Sequence, residues 1–204
     1  PKCPNRTVWT DAELSAGPVV RNGIVAFELS NRYVISNLSG SGGGQGVAEC
    51  GALNRENVTY HLLQSVTDTD TCFTISANNI TLDCNNYSIT YATGAGGNAI
   101  TVSNANRTTI RNCTIIKTSI QGISYGIQLT GANNGSIGNN TFSIAAATSY
   151  PIYLTSASTS NLIQNNNITM TGGSAAIYIE SSSGQNIILN NNITTTAGSA
   201  PGIY

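Results

Sequence analysis

Charge is scarce in this 204-residue chain: 8 Lys and Arg and 9 Asp and Glu make up 8% of it, where an average soluble domain has about 25%. A net charge of −1 offers no Lys/Arg cluster to displace counterions from phosphates, which excludes nucleic acid as a partner. Carboxylates are few and scattered, at Asp11, Asp68, Asp70, Asp83, Glu13, Glu28, Glu49, Glu56 and Glu180, and beyond Lys117 Glu180 is the sole charged side chain. Histidine occurs once. His61 stands before Leu62 and Leu63 with no acid or nucleophile motif beside it, and reads as a packed residue, not a base. Apolar runs are short. None nears the roughly 18 to 20 residues that cross a bilayer, so no membrane span is expected in this segment. No paired CxxC spacing and no cofactor motif occurs, so neither a zinc site nor a cofactor is expected. The chain opens Pro-Lys-Cys-Pro without a leader, as expected of a processed or excised piece.

In place of charge there are 26 Asn, 25 Thr and 22 Ser, groups that hydrogen-bond without titrating at neutral pH. Eleven asparagines begin an Asn-X-Ser/Thr acceptor: Asn5, Asn37, Asn57, Asn79, Asn86, Asn106, Asn112, Asn134, Asn139, Asn167 and Asn192. A composition so rich in these residues produces some of them by accident. With the five cysteines, they point to a secreted, oxidised chain carrying covalent N-glycans.

A repeat organises the rest. Cut at its short apolar triplets, the second half reads GIQLTGANNGSIGNNTFSIAAATSY from Gly126, PIYLTSASTSNLIQNNNITMTGGSA from Pro151 and AIYIESSSGQNIILNNNITTTAGSAP from Ala176. Anchors at Phe73, Ile100, Ile127, Ile152, Ile177 and Ile203 follow at intervals of 27, 27, 25, 25 and 26. Ile110, Ile137, Ile163 and Ile188 keep the same period, as do Ile115, Phe142, Ile168 and Ile193. Inside each unit, apolar residues alternate with Thr, Ser, Tyr or Asn, the period of a strand with one buried face. Three short strands per turn, separated by Gly, Asn and Ser, predict an all-β parallel β-helix whose coils bury a continuous apolar column. A polar column at Asn112, Asn139, Asn165 and Asn190 is expected to form a ladder, amide bonded to amide along the axis. In the triplets 167–169 and 192–194 the Ile is inward, so Asn and Thr should face solvent.

The run 49–90, ECGALNRENVTYHLLQSVTDTDTCFTISANNITLDCNNYSIT, resembles the opening coil of NosD-like, pectin-lyase-like right-handed parallel β-helix proteins, which occur on bacterial and archaeal surfaces. The resemblance covers about 48–204 and implies the fold and a cap at 48–71. It carries little about activity, since one fold hosts many functions. Enzymes of this class gather acids on one coil face, or acidic calcium ligands with a base, and no such cluster falls on adjacent coils here. Asp68 and Asp70 could share a calcium ion, but two carboxylates fall well short of its usual six to eight oxygens and read as a solvated turn. Asp83, where the family often has Asp, is expected to make a turn hydrogen bond.

The division expected is a non-repeating strand segment at 1–38, a Gly/Ser-rich linker at 39–47, the cap at 48–71 and coils over 72–204. The last coil is entered but not completed at Tyr204, so more coils or a stacked subunit are expected beyond it. Cys50 and Cys72 flank the cap strand, and Cys84 and Cys113 fall at near-equivalent places on consecutive coils. Each pair is a candidate disulfide, with Cys3 left over. Tyr153, Tyr178 and Tyr204 recur at intervals of 25 and 26, facing outward. They either stiffen neighbouring coils or offer a contact surface to sugar or protein.

These residues predict a non-catalytic extracellular structural or adhesive protein of a cell envelope, surface appendage or filament, self-associating or stacking with other subunits. The alternatives are a carbohydrate-active lyase or hydrolase with catalytic coils outside this segment, and a polysaccharide-binding module using the tyrosines.

Overall fold

The computed structural model describes residues 44–204, apart from 95, 121, 147 and 197–200, together with the backbone of the strands Val19–Arg21, Ile24–Leu29 and Arg32–Asn37. Those three strands pair antiparallel in chain order. From Gln45 on every strand pairing is parallel, and each coil gives one strand to each of three sheets.

The first sheet runs Gly51–Leu53, Phe73–Ile75, Ile100–Ser103, Tyr125–Thr130, Tyr150–Thr155 and Ile177–Ile179. The second runs Gln45–Val47, Thr59–Leu62, Thr81–Asp83, Thr109–Arg111, Ser136–Gly138, Leu162–Gln164 and Ile187–Leu189. The third runs Val66–Thr67, Ser88–Thr90, Thr114–Lys117, Thr141–Ile144, Asn167–Met170 and Asn192–Thr195. No helix occurs among the described residues. The expected parallel solenoid is what forms.

Its register follows the apolar anchors. Phe73, Ile100, Ile127, Ile152 and Ile177 lie one above another in the first sheet. In the second, Leu82, Ile110, Ile137, Ile163 and Ile188 align, and in the third Ile89, Ile115, Phe142, Ile168 and Ile193. From Phe73 to Ile177 the members of the first column have no exposed surface. Burying each isoleucine is worth about 1.5–3 kcal/mol, and slipping one strand by a single residue would turn its inward set to solvent. That penalty holds the register.

The Gly/Ser-rich segment expected to be a linker ends in a strand: Gln45–Val47 pairs parallel with Thr59–Leu62. Likewise the expected cap, 48–71, supplies a strand to all three sheets and buries Leu53, Tyr60, Leu62 and Val66. It is a coil in its own right, because it places apolar residues inward at the same three places as later coils. Disulfides join Cys50 to Cys72 and Cys84 to Cys113, with Cα separations of 4.6 and 4.8 Å. Cys3 lies outside the described residues.

The corners are built by asparagine in two different ways. Asn112, Asn139, Asn165 and Asn190, expected to form the amide ladder, instead adopt positive φ of 53–56°. Among L residues asparagine is one of the few that take this conformation readily, so these positions turn the chain from the second sheet to the third. The ladder runs one residue later, through Asn140, Asn166 and Asn191. Asn166 Oδ1 accepts from the Asn140 backbone N–H at 3.0 Å and from its Nδ2 at 3.1 Å, while Asn140 Nδ2 also donates to Ile110 O at 3.1 Å. Asn166 repeats this with Asn191 Oδ1 and Ile137 O. A turned corner points the next side chain inward, where its amide meets backbone groups that no sheet satisfies. A parallel ladder at the preceding corner links Asn161 to Asn186 in the same manner.

Candidate functional site

The outward face of the first sheet carries a group of tyrosine side chains in mutual contact. The register sets Tyr125 beside Tyr150 and Tyr153 beside Tyr178, and Ile203 bridges to Ile177, which brings Tyr204 next to Tyr178. The ring centroids of Tyr125 and Tyr150 are 5.7 Å apart with planes 9° from parallel. Tyr150 and Tyr178 follow at 4.7 Å and 29°, Tyr178 and Tyr204 at 4.9 Å and 13°. Tyr153 leans on the side of this stack, 4.5 Å from Tyr125 at 41° and 5.6 Å from both Tyr150 and Tyr178. Coil spacing in a parallel sheet, about 4.8 Å, is close to the stacking distance of aromatic rings. Tyrosines of successive coils on one face therefore stack even though Tyr125 and Tyr150 precede their anchors by two residues and Tyr178 and Tyr204 follow theirs by one.

Tyr125 and Tyr150 do not appear among the tyrosines expected from sequence. They precede the anchors Ile127 and Ile152 by two residues and are 25 apart, so the period marked them as it marked the others. They join because Gly126 and Ile127 are both buried, as are Pro151 and Ile152, which breaks strict alternation and leaves Tyr125 outward and Tyr150 on the same outer face as Tyr153.

Glu180 is fastened into this group. Tyr153 Oη donates to one carboxylate oxygen and Thr155 Oγ1 to the other, while Glu180 N donates to Leu154 O at 2.9 Å. The bonds from Thr155 and Tyr153 hold the Glu180 carboxyl below the usual carboxylate range. Tyr153 is pushed up to about 12, by burial and then by its hydrogen bond to Glu180. Burial, followed by neighbouring phenols and Glu180, raises Tyr125 and Tyr178 too. At neutral pH Tyr125, Tyr153 and Tyr178 are therefore neutral phenols beside one fixed negative charge. Because Tyr125, Tyr150, Tyr178 and Tyr204 stack in turn, the column leaves mostly ring edges uncovered. Beside it, Asn98 Nδ2 donates to Gln128 Oε1 at 2.7 Å and to Thr101 Oγ1 at 3.0 Å, extending the neutral hydrogen-bonding surface.

The other expected site residues lie elsewhere. Asp68 Oδ1 accepts from Asp70 N at 2.9 Å, closing a turn on itself. Among the described residues no three His, Cys, Asp or Glu come together as a metal site. Asp83 makes the expected turn bond, accepting from Asn85 N at 3.1 Å, and also meets Arg111 Nε at 2.9 Å and Asn112 Nδ2 at 3.0 Å. Burial works to raise the Asp83 carboxyl, but these hydrogen bonds and the guanidinium outweigh it and hold it below its ordinary value. His61 lies half-buried on the second sheet with its ring over Gly44, where a Cβ would come within 2.3 Å of it.

Of the sequon asparagines, Asn57, Asn79, Asn86, Asn112, Asn134 and Asn139 have positive φ. The Asn-X-Thr pattern is thus also the signature of a corner followed by an outward strand residue. Asn106 is half-buried and its Oδ1 accepts from Asn133 N at 2.9 Å. Asn167 and Asn192 are exposed on the third sheet, Asn192 Nδ2 donating to Asn167 Oδ1 at 3.1 Å. Asn5 lies outside the described residues, and Asn37 ends the strand Arg32–Asn37, of whose side chains nothing is described.

Residues 66–204, more than half of the chain, match the family described as right handed beta helix region. The chain belongs to this family of right-handed β-helices. No curated protein and no solved structure matches it. For this β-helix the membership settles the fold and leaves the chemistry to its outer faces.

Proposed function

We propose that this β-helix is a non-catalytic extracellular protein of the NosD-like kind, a structural or adhesive element of a cell envelope, surface appendage or filament. The observation that carries the reading is the tyrosine column with Glu180 fixed inside it, an ordered outward surface whose groups already hold one another in place. Such a surface meets a partner with little further loss of side-chain freedom, which favours contact. Glycosidic cleavage calls for two opposed carboxylates about 5–9.5 Å apart. On this face Glu180 is the single carboxylate, and both its oxygens are engaged. The two disulfides favour an oxidising compartment.

The experiment is retention of the purified chain on isolated cell envelopes. Wild type is expected to bind and a Tyr150→Ala, Tyr153→Ala, Tyr178→Ala variant to lose binding while keeping its melting transition. Equal retention of the two overturns the reading. Cleavage of uronic-acid polymers, with or without calcium, that disappears on changing Asp68, Asp83 or Glu180 would replace it with the lyase or hydrolase alternative. Binding on a glycan array lost with Tyr153→Ala and Tyr178→Ala would narrow the partner to polysaccharide. The stacked rings, whose faces cover one another, disfavour sugar stacking in that case.

A further inference from the structure

Five of the chain's nine tyrosines touch one another in a single column, and the hydroxyl of one of them donates a hydrogen bond to a carboxylate. A contact surface explains rings gathered on one face of successive coils. It does not require a base held against a phenol. That pairing has a specific chemical consequence: a neutral phenol loses an electron easily only if its proton leaves at the same time, and a hydrogen-bonded carboxylate is a ready acceptor. The rings packed against Tyr153, at centroid distances of 4.5 and 5.6 Å, are close enough to share or receive the resulting radical.

We propose that the column Tyr125, Tyr150, Tyr153, Tyr178 and Tyr204 is an oxidative modification site, in which a one-electron oxidant of the peroxide and haem-peroxidase class links tyrosines of adjacent coils as dityrosine. Tyr153 loses an electron to the oxidant and its phenolic proton to Glu180, which releases it to water. A second phenol of the column is oxidised in the same way. The two radicals join through a new bond between ring carbons next to the hydroxyls, and the hydrogens on those carbons move to the oxygens, restoring both phenols. In total two tyrosines lose two electrons and two protons, and one hydrogen peroxide becomes two waters. Glu180 suits the acceptor role because it stays ionised at neutral pH and is placed by Thr155 as well as by Tyr153. The inference goes beyond the adhesive reading and stands without it, since it needs only the geometry of the column.

Tyr87 provides the internal control. It is 40% exposed but lies apart from the column, as do the buried Tyr60 and Tyr91. The full chain is treated with hydrogen peroxide and a haem peroxidase at neutral pH, followed by dityrosine fluorescence and mass mapping of cross-linked peptides. Links within one chain are expected between Tyr125 and Tyr150 or Tyr153, between Tyr150 or Tyr153 and Tyr178, and between Tyr178 and Tyr204, each with the loss of two hydrogen masses. Glu180→Gln is expected to lower the initial rate roughly five-fold, since the amide cannot take the proton, with the melting transition unchanged. Tyr87→Phe should leave yield and rate as they are. Links that run mainly through Tyr87 or between molecules, no dityrosine at all, or an unchanged rate in a folded Glu180→Gln variant would each overturn the proposal. None of these outcomes bears on envelope binding, so the two readings fail separately.

Discussion

One corner column of the β-helix is fastened by two kinds of chemistry. In its early coils Cys84 and Cys113 hold consecutive coils by a covalent bond, and in the later coils Asn140, Asn166 and Asn191 do so by hydrogen bonds. The two meet directly, for Asn140 Oδ1 accepts from Cys113 N at 3.0 Å. The difference teaches that this inward corner position needs any group that ties one coil to the next. Asparagine satisfies the backbone as well, whereas the disulfide constrains the unfolded chain.

The largest effect is expected where the amide ladder is cut. Asn166→Ala removes the side-chain bonds to Ile137 O and Asn191 Oδ1 and leaves the Asn140 backbone N–H without its acceptor, while Asn140 Nδ2 keeps only Ile110 O. Several buried polar groups at about 1–3 kcal/mol each imply a loss of about 4 kcal/mol, read by urea unfolding. If the later coils tolerate this change, the ladder is not what holds them.

Replacing both Cys84 and Cys113 by Ser opens a loop with a sequence separation of 29. The chain-entropy argument puts the cost at about 3.5 kcal/mol, close to that of the ladder. A much smaller loss would show that hydrogen bonds alone suffice in the early coils. The exposed corner sharpens the comparison in another way. Asn165→Ala should cost about 1–2 kcal/mol for its positive φ, and Asn165→Gly much less, because the glycine accepts the same backbone conformation.

Smaller still is the pH effect at Asp83. Its folded value lies below the unfolded 3.8, so its contribution is complete above that value and fades as pH falls through the lower folded one. A melting temperature that drops in this acid range for wild type but not for Asp83→Asn is the expected result. The least effect on stability is expected in the tyrosine column. There, absorbance titration should show Tyr153 ionising near pH 12, above an ordinary phenol, with Glu180→Gln bringing it down.

The sequence was most legible where one physical demand repeats. Buried columns at Ile110, Ile137 and Ile163 announced the second sheet because the same inward volume must be filled in every coil. It was least legible at the corners. Asn139 and Asn140 are adjacent and chemically identical, yet one turns the backbone at φ 56° and the other bonds inside. Nothing in composition or period separates them, since the choice depends on which backbone groups the corner leaves unsatisfied. The linker reading of 39–47 failed at its end for a related reason: Gly-rich composition describes freedom, and Gln45–Val47 is ordered by the neighbouring strand it pairs with.

At the tyrosine face, the spacing of about 25 residues by itself determined that Tyr153, Tyr178 and Tyr204 would recur on one outward face, because a parallel solenoid converts sequence period into vertical neighbours. Tertiary structure alone decided that Tyr125 and Tyr150 would join them, that their rings would stack and that Tyr153 would donate a hydrogen bond to Glu180. Period fixes which residues share a column. Only the packed coil fixes how a side chain is turned, because a broken alternation at Pro151 and a ring rotation shift its contacts without altering the repeat.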